Sequence, residues 1–399
     1  MTSFDSTVPT YSANRSPVTR RLRHAFISAC ERIDEGRLSL TTPEGDRFYF
    51  GHKGPEAELV LNDWSTVSAI AARGDIGFGE AYVAGLWDSP KVEAVAGVAL
   101  ANLDRLQDSA SPKPFQRLKM RAIDTLLRAN SKRGASRNIQ AHYDVGNAFY
   151  QLWLDPSMTY SSALFNGDDS DLERAQARKY DRILQKMQGA ERLLEVGCGW
   201  GGFAERAAEA GHDLTGITIS PGQKGYADAR LDGRAEIRLQ DYRDTRGKYD
   251  GIVSIEMVEA VGERYWPTYF STLRDRLADG GSALVQAITV PDEEFESYRR
   301  RSDYIRHYTF PGGMLLSDKM IRREAARAGL KVQESFAFGQ DYARTCRIWR
   351  ERMDAASPRI EKLGYGAPFL RSWRYYLDIC AAAFATGRAD VVQVELTHA

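Results

Sequence analysis

The stretch RLLEVGCGWGGFAERAAEAG (192–211) constrains the fold more than any other part of the chain. An apolar run ends in glycines and gives way at once to helix-forming residues. That order describes a strand, a tight turn and a helix start in succession. Glycine in such a turn lets a ligand approach the backbone closely, and a helix start offers unpaired N–H groups to an anionic group. Strand and helix patterns alternate around it. DLTGITIS, AEIRLQD, YDGIVSIEM and SALVQAITV read as strands, with helices over PGQKGYADARL and around Arg264–Leu277. VQESFAFG and VVQVEL complete the sheet. The pattern predicts a doubly wound, Rossmann-like α/β domain.

Glycines 197, 199 and 202 satisfy G-x-G-x-x-G, a spacing that dinucleotide sites use. A dinucleotide site also expects an acid about 20 residues on, at the end of the second strand. Here that strand ends GITIS (216–220), without an acid. Glu195, two residues before the first glycine, suits a cofactor carrying an ammonium group. S-adenosylmethionine fits this loop better than a dinucleotide does.

Upstream, residues 1–18 are polar and expected to be disordered, and 19–112 form a smaller mixed α/β domain. RRLRHAFISACERI has helical spacing, SLTTPEGDRFYF and AELVLND read as short strands, and IGFGEAYVAGLWDS and VEAVAGVALANL as helices. Between the domains, 113–137 is a basic amphipathic linker with eight Lys or Arg against one acid, Asp124. Such a segment suits an anionic lipid surface, or an apolar stripe packed on a neighbouring domain. The catalytic domain is expected over 138–399.

Lys plus Arg equals Asp plus Glu at 54 each, so net charge points to no partner, and no nucleic acid is expected. The scattered cysteines at 30, 198, 346 and 380 form no metal or disulfide spacing, which suits a cytoplasmic protein. No run is long and apolar enough to cross a bilayer, so membrane contact would be peripheral, at the inner face.

The segments AHYDVGNAFYQLWLDPSMTYSSALF (141–165), LLEVGCGWGGFA, GITISPGQ, SIEMVEAVG, YIRHYTFPGGMLLS and YYLDICAAAF occur in the same order as in the cyclopropane-fatty-acyl-phospholipid synthase family, which the chain resembles from about 138 to 396. The N-terminal region, with GFGEAYVAGLWDS as its clearest piece, resembles the auxiliary domain of phospholipid-acting members. The resemblance implies a class I methyltransferase fold and transfer of a one-carbon unit from S-adenosylmethionine to the double bond of a phospholipid acyl chain. The product is a cyclopropane or, alternatively, a methyl-branched or methylated unsaturated chain. Members with the auxiliary domain are often dimers, so the resemblance also implies a homodimer.

Carried over by motif, Tyr160, Ser161, Gly197, Gly199, Thr218 and Gln223 would contact the cofactor. Asp241 and Tyr242 fall at its adenine side, and Tyr143 and Tyr160 border its sulfonium, where aromatic faces suit a cation. The family holds a bicarbonate ion as its base. Glu259 and Tyr342 match the residues that grip it, Gln286 stands where many members have a histidine, and Cys380 matches a cysteine near the acyl pocket. Ser162 and Ala260 are further departures from the common pattern. Without the resemblance, Tyr143 and Tyr160 read as packing tyrosines, Glu259 as a helix cap and Cys380 as a small buried residue.

Overall fold

The computed structural model describes residues 17–107 and 145–399. The basic linker 113–137 and Tyr143 lie outside the described residues. Two compact units result, and they do not follow a single cut in the sequence. One takes the described residues up to 107 together with Arg301–Thr309 and Ser357–Arg388. The other takes 145 to Arg300, Phe310–Ala356 and Ala389–Ala399.

The first unit is built on β1 (Glu35–Thr41), β2 (Arg47–Leu61) and β3 (Trp87–Asp88). The first of the two expected strands is divided by the turn at Thr42–Asp46, where Thr42 N donates to Asp46 O at 2.9 Å. β2 then pairs with β1 twice, setting Leu40 opposite both Phe48 and Leu59. The chain bends between these halves at Gly51 and Gly54, whose φ of 71° and 86° side chains rarely adopt. Leu40 is thereby fully enclosed.

The helix Ala367–Ala385 brings Tyr375 and Arg371 into this unit from far along the chain. Arg371 lies 4.0 Å from the Tyr82 ring centroid and donates to the carbonyls of Tyr82 and Trp87. Asn102 is a second long-range clasp. Its side-chain oxygen accepts from Asp34 N and Glu35 N, and its amide donates to Glu35 O and Val98 O. Asn102→Ala would orphan backbone groups at the entry to β1. It is expected to destabilise the protein by about 1–3 kcal/mol, read by denaturant unfolding.

The second unit carries a seven-stranded sheet in the order β6-β5-β4-β7-β8-β10-β9. The strands are β4 (Arg192–Val196), β5 (Asp213–Thr218), β6 (Glu236–Leu239), β7 (Tyr249–Ile255), β8 (Leu277–Thr289), β9 (Leu330–Ala337) and β10 (Asp390–His398). The first five in that order run parallel, and β10 runs antiparallel to both neighbours. This is the expected α/β architecture. Its strand order reverses at β4, and the carboxyl ends of β4 and its neighbours are the usual ligand position in such sheets. Among the described residues no helix is long and apolar enough to cross a membrane.

Candidate active site

The first polar groups at this edge are set by strand ends. β4 delivers Glu195 and then turns through Gly197, Gly199 and Gly201, with φ of 86°, 52° and 83°. The helix Gly202–Glu209 starts directly after them. β5 ends at Thr218, whose Oγ1 donates to Gln223 Oε1 at 2.9 Å. Gln223 is held in the first turn of the helix Pro221–Leu231, its N–H donating to the cap Ser220. Beyond β6, Asp241 caps the short turn Tyr242–Asp244. Its carboxylate is engaged on both oxygens by Arg243.

Two polar atoms at these strand ends are buried without a partner, Glu195 Oε2 and Tyr242 Oη. A turn with glycine at 197, 199, 201 and 202 beside unpaired polar atoms fits a polar cofactor such as S-adenosylmethionine. Burial pushes the Glu195 carboxyl up to about 8, against the pull of Lys179.

The segment after Met158 supplies an aromatic wall. The Tyr160 ring lies 5.3 Å from Trp349, 5.5 Å from Tyr150 and 5.7 Å from Trp153. Tyr150 also meets Trp200 at 5.0 Å. Only Tyr160 was expected here; Tyr150, Trp153, Trp200 and Trp349 join it through the fold. Ser161 accepts from Lys179 Nζ at 2.7 Å. Lys179 is fully enclosed, and desolvation lowers its ammonium to about 7 although Glu256, Asp155 and Glu195 oppose that.

The centre of the polar corner is Glu256, which no sequence motif singled out. It follows β7 with φ of 49°, in the left-handed region, and its N–H donates to Gln286 O at 2.8 Å. Its Oε1 accepts from Ser162 N at 2.9 Å and from Gln286 Nε2 at 2.7 Å. Its Oε2 accepts from Tyr342 Oη at 2.6 Å. Taken as a whole the residue is half-buried. Desolvation raises its carboxyl above the ordinary value, while the Tyr342 hydroxyl, Lys179, the Ser162 amide and Gln286 pull it down.

Each donor is itself pinned. Gln286, from β8, accepts from Gln393 Nε2 on β10 at 3.0 Å, which turns its own NH2 toward Glu256. The loop bearing Ser162 is tied to the helix Gly339–Ala355, with Ala163 N donating to Thr345 Oγ1 and Phe165 N to Asp341. Tyr342 lies on that same helix, and burial beside Glu256 keeps its hydroxyl protonated.

Glu259 sits apart from these three donors. Its Oε1 accepts from Ile288 N, its Oε2 is buried without a partner, and burial beside Glu256 pushes its carboxyl up to about 8. The structure thus brings Gln286 and Tyr342 together on Glu256, not on Glu259. Cys380 belongs to the first unit, where burial pushes its thiol up. Of the residues expected at a bicarbonate ion, Tyr342 and Gln286 already donate to a carboxylate of the chain, so these two do not fit that ion.

A carboxyl raised by burial favours folding while protonated. Between the ordinary 4.5 and about 8, folded Glu259 holds a proton that the unfolded chain has lost. Stability from this group therefore falls as pH rises through that window. Glu259→Gln, which cannot ionise, is expected to melt increasingly above the parent as pH rises from 5 to 8 by scanning calorimetry.

A family model described as mycolic acid cyclopropane synthetase matches residues 130–394. The chain is 37% identical over 343 residues to the tuberculostearic acid methyltransferase of Mycobacterium tuberculosis, covering 81% of this chain and 79% of that one. It is 34% identical over 344 residues to the cyclopropane-fatty-acyl-phospholipid synthase of Escherichia coli, covering 85% and 87%. A mycolic acid cyclopropane synthase solved with S-adenosylhomocysteine and CTAB superposes with a TM-score of 0.61 at 30% identity, over 65% of this chain and 97% of that one.

Proposed function

The chain belongs to the mycolic acid cyclopropane synthetase family of S-adenosylmethionine-dependent methyltransferases, and from that premise we propose that it adds a one-carbon unit to the cis double bond of an unsaturated acyl chain in membrane phospholipid, closing a cyclopropane ring. The observation that carries this reading is the corner where a hydrogen-bonded carboxylate and an aromatic wall meet at the carboxyl edge of the sheet. S-adenosylmethionine supplies an electrophilic methyl group on a sulfonium.

An alkene is a weak nucleophile, so the protein must align it and exclude water. Tyr160, Trp349, Trp153 and Tyr150 offer ring faces that favour positive charge without attacking it. In this reading Tyr160, Ser161, Gly197, Gly199, Thr218, Gln223, Asp241 and Tyr242 hold the cofactor, while Gln286, Tyr342 and Glu259 frame the polar corner. This reading assigns bicarbonate no part, since Tyr342, Gln286 and the Ser162 amide donate to Glu256.

Phospholipid is favoured over a mycolate because the phospholipid synthase matches 85% of this chain and the mycolate enzyme structure only 65%. The protein would then act from the cytoplasm at the membrane surface. A second reading, a methyl-branched or methylated unsaturated product, is favoured by Gln286 and by the likeness to the tuberculostearic acid methyltransferase.

Purified protein incubated with S-adenosylmethionine and vesicles of monounsaturated phosphatidylglycerol tests both. A cyclopropane adds the mass of one CH2 and survives mild hydrogenation; a methylated alkene adds the same mass and is reduced. Methylation of soluble amines with untouched lipid would overturn the lipid reading.

A further inference from the structure

We propose that Glu256 is itself the proton acceptor of this reaction, a base carried by the chain in the place where an exchangeable anion would otherwise be held. The inference rests on the lipid one-carbon transfer proposed above. Three donors from three separate elements converge on this one carboxylate: a loop amide at Ser162, the β8 side chain of Gln286 and the helix side chain of Tyr342. None of them is adjacent to Glu256 in sequence, so local structure does not account for the convergence.

The backbone supports the same reading. A non-glycine residue in the left-handed region costs about 1–2 kcal/mol, and here it is held by the Glu256 N–H bond to Gln286 O. Residues kept in such conformations cluster at functional sites. An ionised carboxylate has about four acceptor positions. Three take recorded donors, two on Oε1 and one on Oε2, so Oε2 can still receive a proton. A second anion in this corner would meet the charge of Glu256 and find the three donors taken, which a low-dielectric site opposes.

The step balances without a further reagent. The alkene π pair bonds to the methyl carbon, and the broken S–C pair stays on sulfur. Positive charge moves to the other alkene carbon. Glu256 Oε2 takes a proton from the new methyl group, and the released C–H pair forms the ring bond. Glu256 leaves the step as a carboxylic acid and returns its proton to solvent.

Turnover on phosphatidylglycerol vesicles in carbon-dioxide-free buffer should stay within about twofold of the aerated rate. Glu256→Gln keeps the shape and should lower turnover about 100-fold to 10,000-fold, the usual loss for a general base, with the S-adenosylmethionine Kd by calorimetry little changed. Glu256→Ala should regain part of the rate on addition of bicarbonate or formate. A parent enzyme that stops without carbon dioxide and recovers with bicarbonate overturns the proposal, as does a Gln variant of undiminished rate. Should the parent modify no lipid, the functional reading fails separately, and NMR with carbon-13 bicarbonate still decides the site. Saturable binding to Glu256→Ala but not to the parent supports a built-in carboxylate, and saturable binding to the parent overturns it.

Discussion

Tyr342→Phe is expected to lower turnover about 10-fold to 100-fold, the equivalent of losing a hydrogen bond to a charged group worth about 1.5–3 kcal/mol. The phenol is the recorded donor to Glu256 Oε2, and phenylalanine fills the same space without it. The titratable groups facing Glu256 besides Tyr342 are Lys179, which holds its carboxyl down, and Glu259, whose own carboxyl Glu256 raises. Removing the hydroxyl takes away the largest influence lowering the Glu256 carboxyl, so that carboxyl rises further. A base works when ionised, so the rate climbs with pH, and in the variant the climb should shift to higher pH. A purely structural role for Tyr342 would lower the rate equally at every pH. The affinity for S-adenosylmethionine, measured by calorimetry, should stay as it is.

Gly197→Ala should abolish tight S-adenosylmethionine binding, with an affinity loss above about 10-fold. Gly197 has a φ of 86°, and a Cβ there would stand 2.9 Å from Met257 Cγ. The backbone cost alone is about 1–2 kcal/mol, and relief would push Met257 and with it the neighbouring Glu256. A lower melting temperature should accompany the lost affinity. Gly225→Ala is the matched control. It lies within the helix Pro221–Leu231 with nothing within 4 Å of an added Cβ, and alanine there should be neutral or gain up to about 1 kcal/mol.

The sheet was legible because its signals are local. The central strands β4, β5 and β7 are short and mostly buried, and the glycine turn after β4 marks where the ligand edge begins. The assembly of the first unit was not, since the helix Ala367–Ala385 is apolar enough to pack in either unit and only tertiary contact assigns it. The polar corner was half legible. Gln286 and Tyr342 stood out by motif, but SIEMVEAVG holds two acids three residues apart, and nothing local separates Glu256 from Glu259. Their roles diverge through Ser162, Gln286 and Tyr342, which are distant in sequence.

Lys179 was missed although a signal existed. The buried face of its helix runs Leu172, Ala175, Gln176, Lys179, Tyr180 and Ile183, a regular three-and-four spacing. A lysine on that stripe is a charge placed in the interior, where it donates to Ser161 and feels the acids of the site.

In the proposed reaction a carboxylate strips a proton from the methyl group after its transfer. Supplying S-adenosylmethionine with a fully deuterated methyl group and weighing the modified phospholipid reads that event directly. A product keeping two of the three deuterons, with ring stability to hydrogenation, is the expected result. A product that keeps all three would contradict it, since no base would then have touched the new carbon.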